Sequence, residues 1–147
     1  PGTSHRSGVE LSARAEISPT WALDAAYTYT DASEPVAGGR QRELRRPRHE
    51  AALALDGKWW SGRLGFHAAL SHTGQRLDNF FDASFTPHRV SLGSYTLLTL
   101  AGQYEVSPAL SIHARVENAL GESYEDVYGF NTPGAAAYLG LRLAMKR

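Results

Sequence analysis

The stretch Arg76 to Phe85, RLDNFFDASF, sets two carboxylates, Asp78 and Asp82, among three aromatic rings, Phe80, Phe81 and Phe85. Carboxylates accept hydrogen bonds, and exposed rings offer flat apolar area. A loop of this composition is a candidate contact surface for a bulky ligand. The plainer reading packs the rings onto neighbouring loops, and the residues alone do not separate the two. Asp78, His88 and Ser91 supply the residue types of a hydrolytic triad. Triads are defined by geometry, however, and no nucleophile motif surrounds Ser91. The six histidines are scattered without metal-ligand spacing, so no metal site or cofactor is expected. Gly39 to His49, GRQRELRRPRH, holds five arginines. A nucleic-acid surface would interleave aromatics for stacking, and none is present there. Arginines can instead grip phosphates bidentately, or simply form a solvated loop.

The elements that must position these residues are strands. In Val9 to Ile17, VELSARAEI, apolar Val9, Leu11, Ala13, Ala15 and Ile17 alternate with Glu10, Ser12, Arg14 and Glu16. Alternate residues of a strand face opposite ways, so one face is oily and the other charged. The pattern recurs from Trp21 to Thr30, around Ala51 to Lys58, from Arg63 to Ser71, from Leu98 to Val106, from Leu110 to Glu117, and from Tyr138 to Lys146. Seven two-faced segments of roughly ten residues predict one antiparallel sheet.

The connections alternate as well. ISPTW, GKWWSG and VSPAL read as tight turns. Between them lie three long links, Asp31 to Arg48, Gly74 to Gly93 and Asn118 to Gly134. Compact soluble domains usually keep connections to a handful of residues. Short turns at one edge and long loops at the other are the pattern of a transmembrane β-barrel, in which the oily face meets lipid. Trp21, Trp59 and Trp60 all fall at the short-turn edge, where an interfacial girdle is expected. The alternative is a soluble β-sandwich with ordinary edge tryptophans. No apolar run approaches the roughly 20 residues of a membrane helix, which leaves the barrel open. Fifteen basic and fifteen acidic residues balance to a net charge of zero, so bulk charge implies no nucleic-acid partner. There is no cysteine, hence no disulfide framework.

Three blocks resemble the last strands of TonB-dependent outer-membrane receptors, with the cobalamin-receptor branch nearest. They are RRPRHEAALALDGKW, YTLLTLAGQYEVSPALSIHARVENALGESYED and GFNTPGAAAYLGLRL. Arg45, Pro47 and His49 match the family's Arg-x-Pro-x-His. Asn118 to Tyr124 matches its Asn-Leu-Phe-Asp-x-x-Tyr block, with Ala119-Leu120 in place of Leu-Phe. Phe130 to Ala135 matches Tyr-x-Thr-Pro-Gly-Arg, with Ala135 in place of Arg. The chain ends on Met145-Lys146-Arg147 rather than on Phe.

The resemblance implies an all-β, antiparallel transmembrane barrel segment in the bacterial outer membrane, with turns periplasmic and loops outside. A receptor barrel of this kind has roughly 22 strands around a plug. Residues 1–147 are therefore expected to be its C-terminal part, with plug and earlier strands upstream and Pro1 to Ser7 ending a long outer loop. The implied function is TonB-energised uptake of a large scarce nutrient, cobalamin or a ferric siderophore, without catalysis. The implied partners are that ligand, outer-membrane lipid and lipopolysaccharide, TonB through the missing N-terminal part, and the barrel-assembly machinery. Asp78, Phe80, Phe81, Asp82 and Phe85 are the ligand-contact candidates. Tyr138, Gly140, Leu143 and Met145 resemble the assembly signal of the last strand. Glu10, Arg14, Glu16, Asp24, Asp56, Arg63, His113, Arg115, Glu117 and Arg142 are expected along the lumen. An outer-membrane enzyme on a smaller barrel and a soluble sandwich module are the rival readings.

Overall fold

The computed structural model describes residues 3–144. Seven long strands form one antiparallel sheet: β1 (His5–Ser18), β2 (Trp21–Val36), β4 (His49–Trp59), β5 (Leu64–Thr73), β8 (Tyr95–Ser107), β9 (Leu110–Glu117) and β10 (Ala136–Leu143). They pair in that order, each with its sequence neighbour among the seven. Short β3 (Gly39–Arg42) extends the outer end of β2, and β6 (Arg76–Phe81) pairs with β7 (Pro87–Leu92) as a separate hairpin. Two of the three long links thus contain strands that their sequence did not announce.

The register sets the oily residues side by side in rows, one crossing five of the strands and the next all seven. Ala13, Ala25, Leu53, Leu70 and Leu98 stand side by side on β1 to β8. One row nearer the turns come Ala15, Leu23, Leu55, Ala68, Leu100, Val116 and Ala137. The opposite face brings Arg14 to 2.9 Å from Asp24, Asp56 to 2.9 Å from His67, and Arg115 to 2.8 Å from Glu117. Arg63 departs from the expected wall position. It lies in the turn after β4, donating to the carbonyls of Glu105 and Val106.

Among the described residues no second layer covers the oily face. Among the described residues the only buried hydrophobics are Ala32 and Leu92, while Leu11 is 62% and Leu141 69% exposed. A compact monomer of this mass would expose roughly 7,400 Å²; this chain exposes 10416 Å². That excess excludes a self-contained sandwich and fits a wall whose oily face is covered by lipid.

The short-turn edge is built from repeated chemistry. Ser18-Pro19-Thr20 and Ser107-Pro108-Ala109 use one device: the Ser Oγ accepts the N–H two residues on, at 3.3 Å, just after a register shift in the strand. Proline presets the turn, and the shift increases the local twist. Trp60, Ser61 and Gly62 close the third turn in the left-handed region, at φ 52°, 56° and 89°. Just inside, on the lipid side, Trp21 meets Trp59 edge to face at 4.7 Å and Phe66 at 6.2 Å. Gly57 lies beneath both tryptophans: a Cβ there would stand 2.9 Å from the Trp21 ring. The cluster stands at the edge where the interfacial girdle is expected.

Candidate functional site: the outer loop cap

At the opposite edge the long links fold onto one another. One face of β6 presents Arg76, Asp78 and Phe80, and all three engage the link between β9 and β10. Asp78 is fully buried. Its Oδ2 accepts the backbone N–H of Tyr128 at 2.8 Å, and its Oδ1 accepts Arg45 Nε at 2.8 Å and the N–H of Asn79 at 2.9 Å. Arg45 is held in place by its own backbone, with φ 56° and its N–H on the Leu77 carbonyl at 2.7 Å. Burial pushes the Asp78 carboxyl up, but the Tyr128 N–H, the Arg45 guanidinium and the Asn79 N–H together outweigh it. The group is held below the usual carboxylate range.

Arg76 is buried beside it. Its Nη2 donates to the Glu125 carbonyl and to Asp126 Oδ1, the latter at 2.8 Å, and its guanidinium lies 4.9 Å above the Tyr95 ring. Tyr95 packs on Tyr124 at 4.1 Å and donates to Asp126 at 2.9 Å. Phe80 is stacked between His88 at 5.1 Å and Tyr128 at 5.2 Å. Arg89 ties the hairpin to β3 through Gln41 Oε1 at 2.6 Å and the Arg42 carbonyl at 2.7 Å. Nearby, Glu43 is buried, with Arg6 at 3.0 Å and Arg46 at 3.6 Å. Three links have become one cap.

Asn118 explains why its block begins with asparagine. It sits at φ 47°, which asparagine tolerates better than most residues. Its side chain accepts the Glu122 N–H at 2.9 Å and donates to the Glu122 carbonyl at 2.8 Å, so it braces the link from within.

The five ligand-contact candidates separate. Asp78 has no free surface; it fastens the cap from inside. Asp82 braces the hairpin tip, its Oδ1 accepting the N–H of Ser84 at 2.8 Å and of Thr86 at 3.0 Å while His88 Nε2 lies 2.8 Å from Oδ2. The His88 hydrogen bond and these N–H groups hold its carboxyl below the usual range. Phe80 is sandwiched in the stack. Phe81 and Phe85 stand out, 63% and 86% exposed. The triad does not assemble: Ser91, opposite Leu77, points to the other face of the hairpin from Asp78 and His88. Among the described residues no group of three or more His, Asp or Glu could hold a metal. Tyr138, Gly140 and Leu143 lie on edge strand β10, and Met145 falls outside the described residues. Arg45, Arg76, Tyr124 and Tyr128 were missed as site residues. Two of them lie in the motif blocks: Arg45 opens Arg-x-Pro-x-His and Tyr124 closes the Asn118 block.

A family model described as TonB dependent receptor-like, beta-barrel, matches residues 1–119. The chain belongs to this family of outer-membrane receptor barrels. Solved structures agree in fold. The ferripyoverdine receptor of the outer membrane of Pseudomonas aeruginosa superposes at TM-score 0.79 and 18% identity, covering 95% of this chain and 19% of that one. The ferric-catecholate import receptor Fiu of E. coli K12 gives 0.77 at 20%, covering 97% and 21%. The ferric yersiniabactin uptake receptor FyuA of Yersinia pestis gives 0.70 at 20%, covering 97% and 24%. The chain therefore spans about a quarter or less of each. The narrower likeness to the cobalamin branch rests on the motif blocks alone.

Proposed function

We propose that residues 1–147 are the C-terminal part of an outer-membrane receptor that imports a large scarce nutrient with energy delivered through TonB. The family match over residues 1–119 carries this reading. The relatives described above are receptors for iron-loaded siderophores, which favours a ferric siderophore over cobalamin as the ligand. The plug and the TonB-contacting segment belong to the rest of such a receptor. Phe81 and Phe85 meet the ligand, while Asp78, Phe80 and Asp82 hold the loop that presents them. Import needs no catalytic group in this wall, so the protein is read as a non-enzyme. Strand β10, with Tyr138, Gly140 and Leu143, is the edge offered to the barrel-assembly machinery, and Met145 follows it in the sequence as the last element of that signal.

The test is uptake by the full-length receptor in cells lacking their own siderophore receptors. Iron-limited cells should import labelled iron from a ferric siderophore in a TonB-dependent way. Phe81→Ala with Phe85→Ala should weaken ligand binding at unchanged surface level. Uptake of cyanocobalamin alone would replace the siderophore reading. Lipid or peptide hydrolysis by the intact protein, without import, would favour the barrel enzyme.

A further inference from the structure

The oily face changes character before it reaches the cap. Its last fully apolar row is Ala13, Ala25, Leu53, Leu70 and Leu98. Beyond it, on the same side of the sheet, stand Tyr27, Tyr29, His49, His72 and Thr96. Tyrosines are expected at a headgroup level. Two histidines on adjacent strands, each oriented by a hydroxyl, are more specific than a girdle needs. His49 Nδ1 lies 2.7 Å from the Tyr27 hydroxyl, and His72 Nδ1 lies 2.9 Å from Thr96 Oγ1. The Tyr29 ring braces His49 at 5.3 Å. With each hydroxyl donating to Nδ1, the ring proton sits on Nε2, the pole farther from the backbone. His72 is directly opposite Ala51, which makes His49 its diagonal neighbour. Such neighbours are roughly 7–8 Å apart, within the joint reach of two rings. Both residues are exposed. The nearest carboxylate outward on this side of β2, Asp31, is already paired with Arg48 at 3.0 Å.

We propose that His49 and His72, oriented by Tyr27 and Thr96, form a seat for the phosphate of a phosphorylated lipid headgroup in the outer leaflet, with its acyl chains lying along the apolar rows below. Continuity of these rows with the belt selects a lipid as the occupant: the same molecule covers both. The two Nε2–H groups donate to phosphate oxygens at the depth where the chains end.

The test uses the full-length receptor in detergent and two probes, lipopolysaccharide and the same lipopolysaccharide with its lipid phosphates removed. The wild type should retain the phosphorylated form at least roughly tenfold more tightly, since one charge-assisted hydrogen bond alone is worth about that much and two are formed. His49→Leu with His72→Leu keeps the face apolar and, in protein whose heat-modifiable gel mobility shows a folded barrel, should bind both probes alike. Tyr27→Phe with Thr96→Val should lower the preference without abolishing it. A double-Leu variant that keeps the full phosphate preference, or a wild type that shows none, overturns the proposal.

Discussion

Asp78 and Tyr128 are fifty residues apart in the chain, yet the buried carboxylate of one accepts the backbone N–H of the other at 2.8 Å. This bond joins the β6–β7 hairpin to the link before β10. Through Arg45 the same carboxylate also reaches the link before β4.

Replacing Asp78 with alanine should loosen the cap and leave the wall intact. Arg45 is 54% exposed, so the ion pair itself contributes about 1 kcal/mol or less. The larger loss is the acceptor for the Tyr128 and Asn79 N–H groups, about 1–3 kcal/mol for each one left buried without a partner. Hydrogen exchange at the Tyr128 amide should quicken by more than tenfold, while amides of β4 and β5 keep their protection. Unchanged exchange at Tyr128 would show that the rest of the cap holds without Asp78.

The cap should also be insensitive to mild acid. The Asp78 carboxyl is held below the ordinary carboxylate range, so its contribution is full above that range and is lost as pH falls through the lower folded value. Limited proteolysis of the cap loops should therefore be the same at pH 7 and pH 5, and increase only in strong acid. Cleavage appearing between pH 7 and pH 5 would point to a different titrating group.

Gly57→Ala should disturb the tryptophan cluster at the short-turn edge. The added methyl would press on the Trp21 and Trp59 rings, which already meet edge to face above it. Overpacking of this kind costs roughly 1–3 kcal/mol. The cost should appear in equilibrium folding of the full-length receptor into bilayers, together with altered tryptophan emission. Wild-type values for both would mean that the rings shift freely into lipid.

Leu98 and Thr99 are adjacent but face opposite ways, one in the apolar row with Leu70 and the other opposite Ala69. Arginine at Leu98 should destabilise folding into bilayers by roughly 2–4 kcal/mol if it reaches the midplane, and arginine at Thr99 by much less. Equal costs would refute the assignment of faces.

The wall was legible because its rule is local: each strand states its two faces every second residue, and Ser-Pro turns mark where it ends. The cap was not. Asp78 looked like a ligand group because its type and its aromatic neighbours are all that the local sequence displays. Its burial depends on Arg45 adopting a left-handed backbone and on Tyr128 arriving from far along the chain. Asp82 was equally ambiguous, since an acid that braces its own turn has the same neighbours as one that meets a ligand. The Asn118 block was recognised as a motif, but its bracing of Glu122 became readable only with the backbone in place.

A wall one sheet thick has no interior to fill, so its side chains are not fitted pieces. On the lipid side, fluid chains close around Ala25 or Leu53 equally well, and a position is asked for polarity while its volume is left open. Sidedness can then persist through wholesale replacement of the residues that express it. Backbones that coincide at 18–20% identity are the natural outcome of such a rule. Positions such as Gly57 and Asp78, where shape or partner is dictated, are where that freedom should stop.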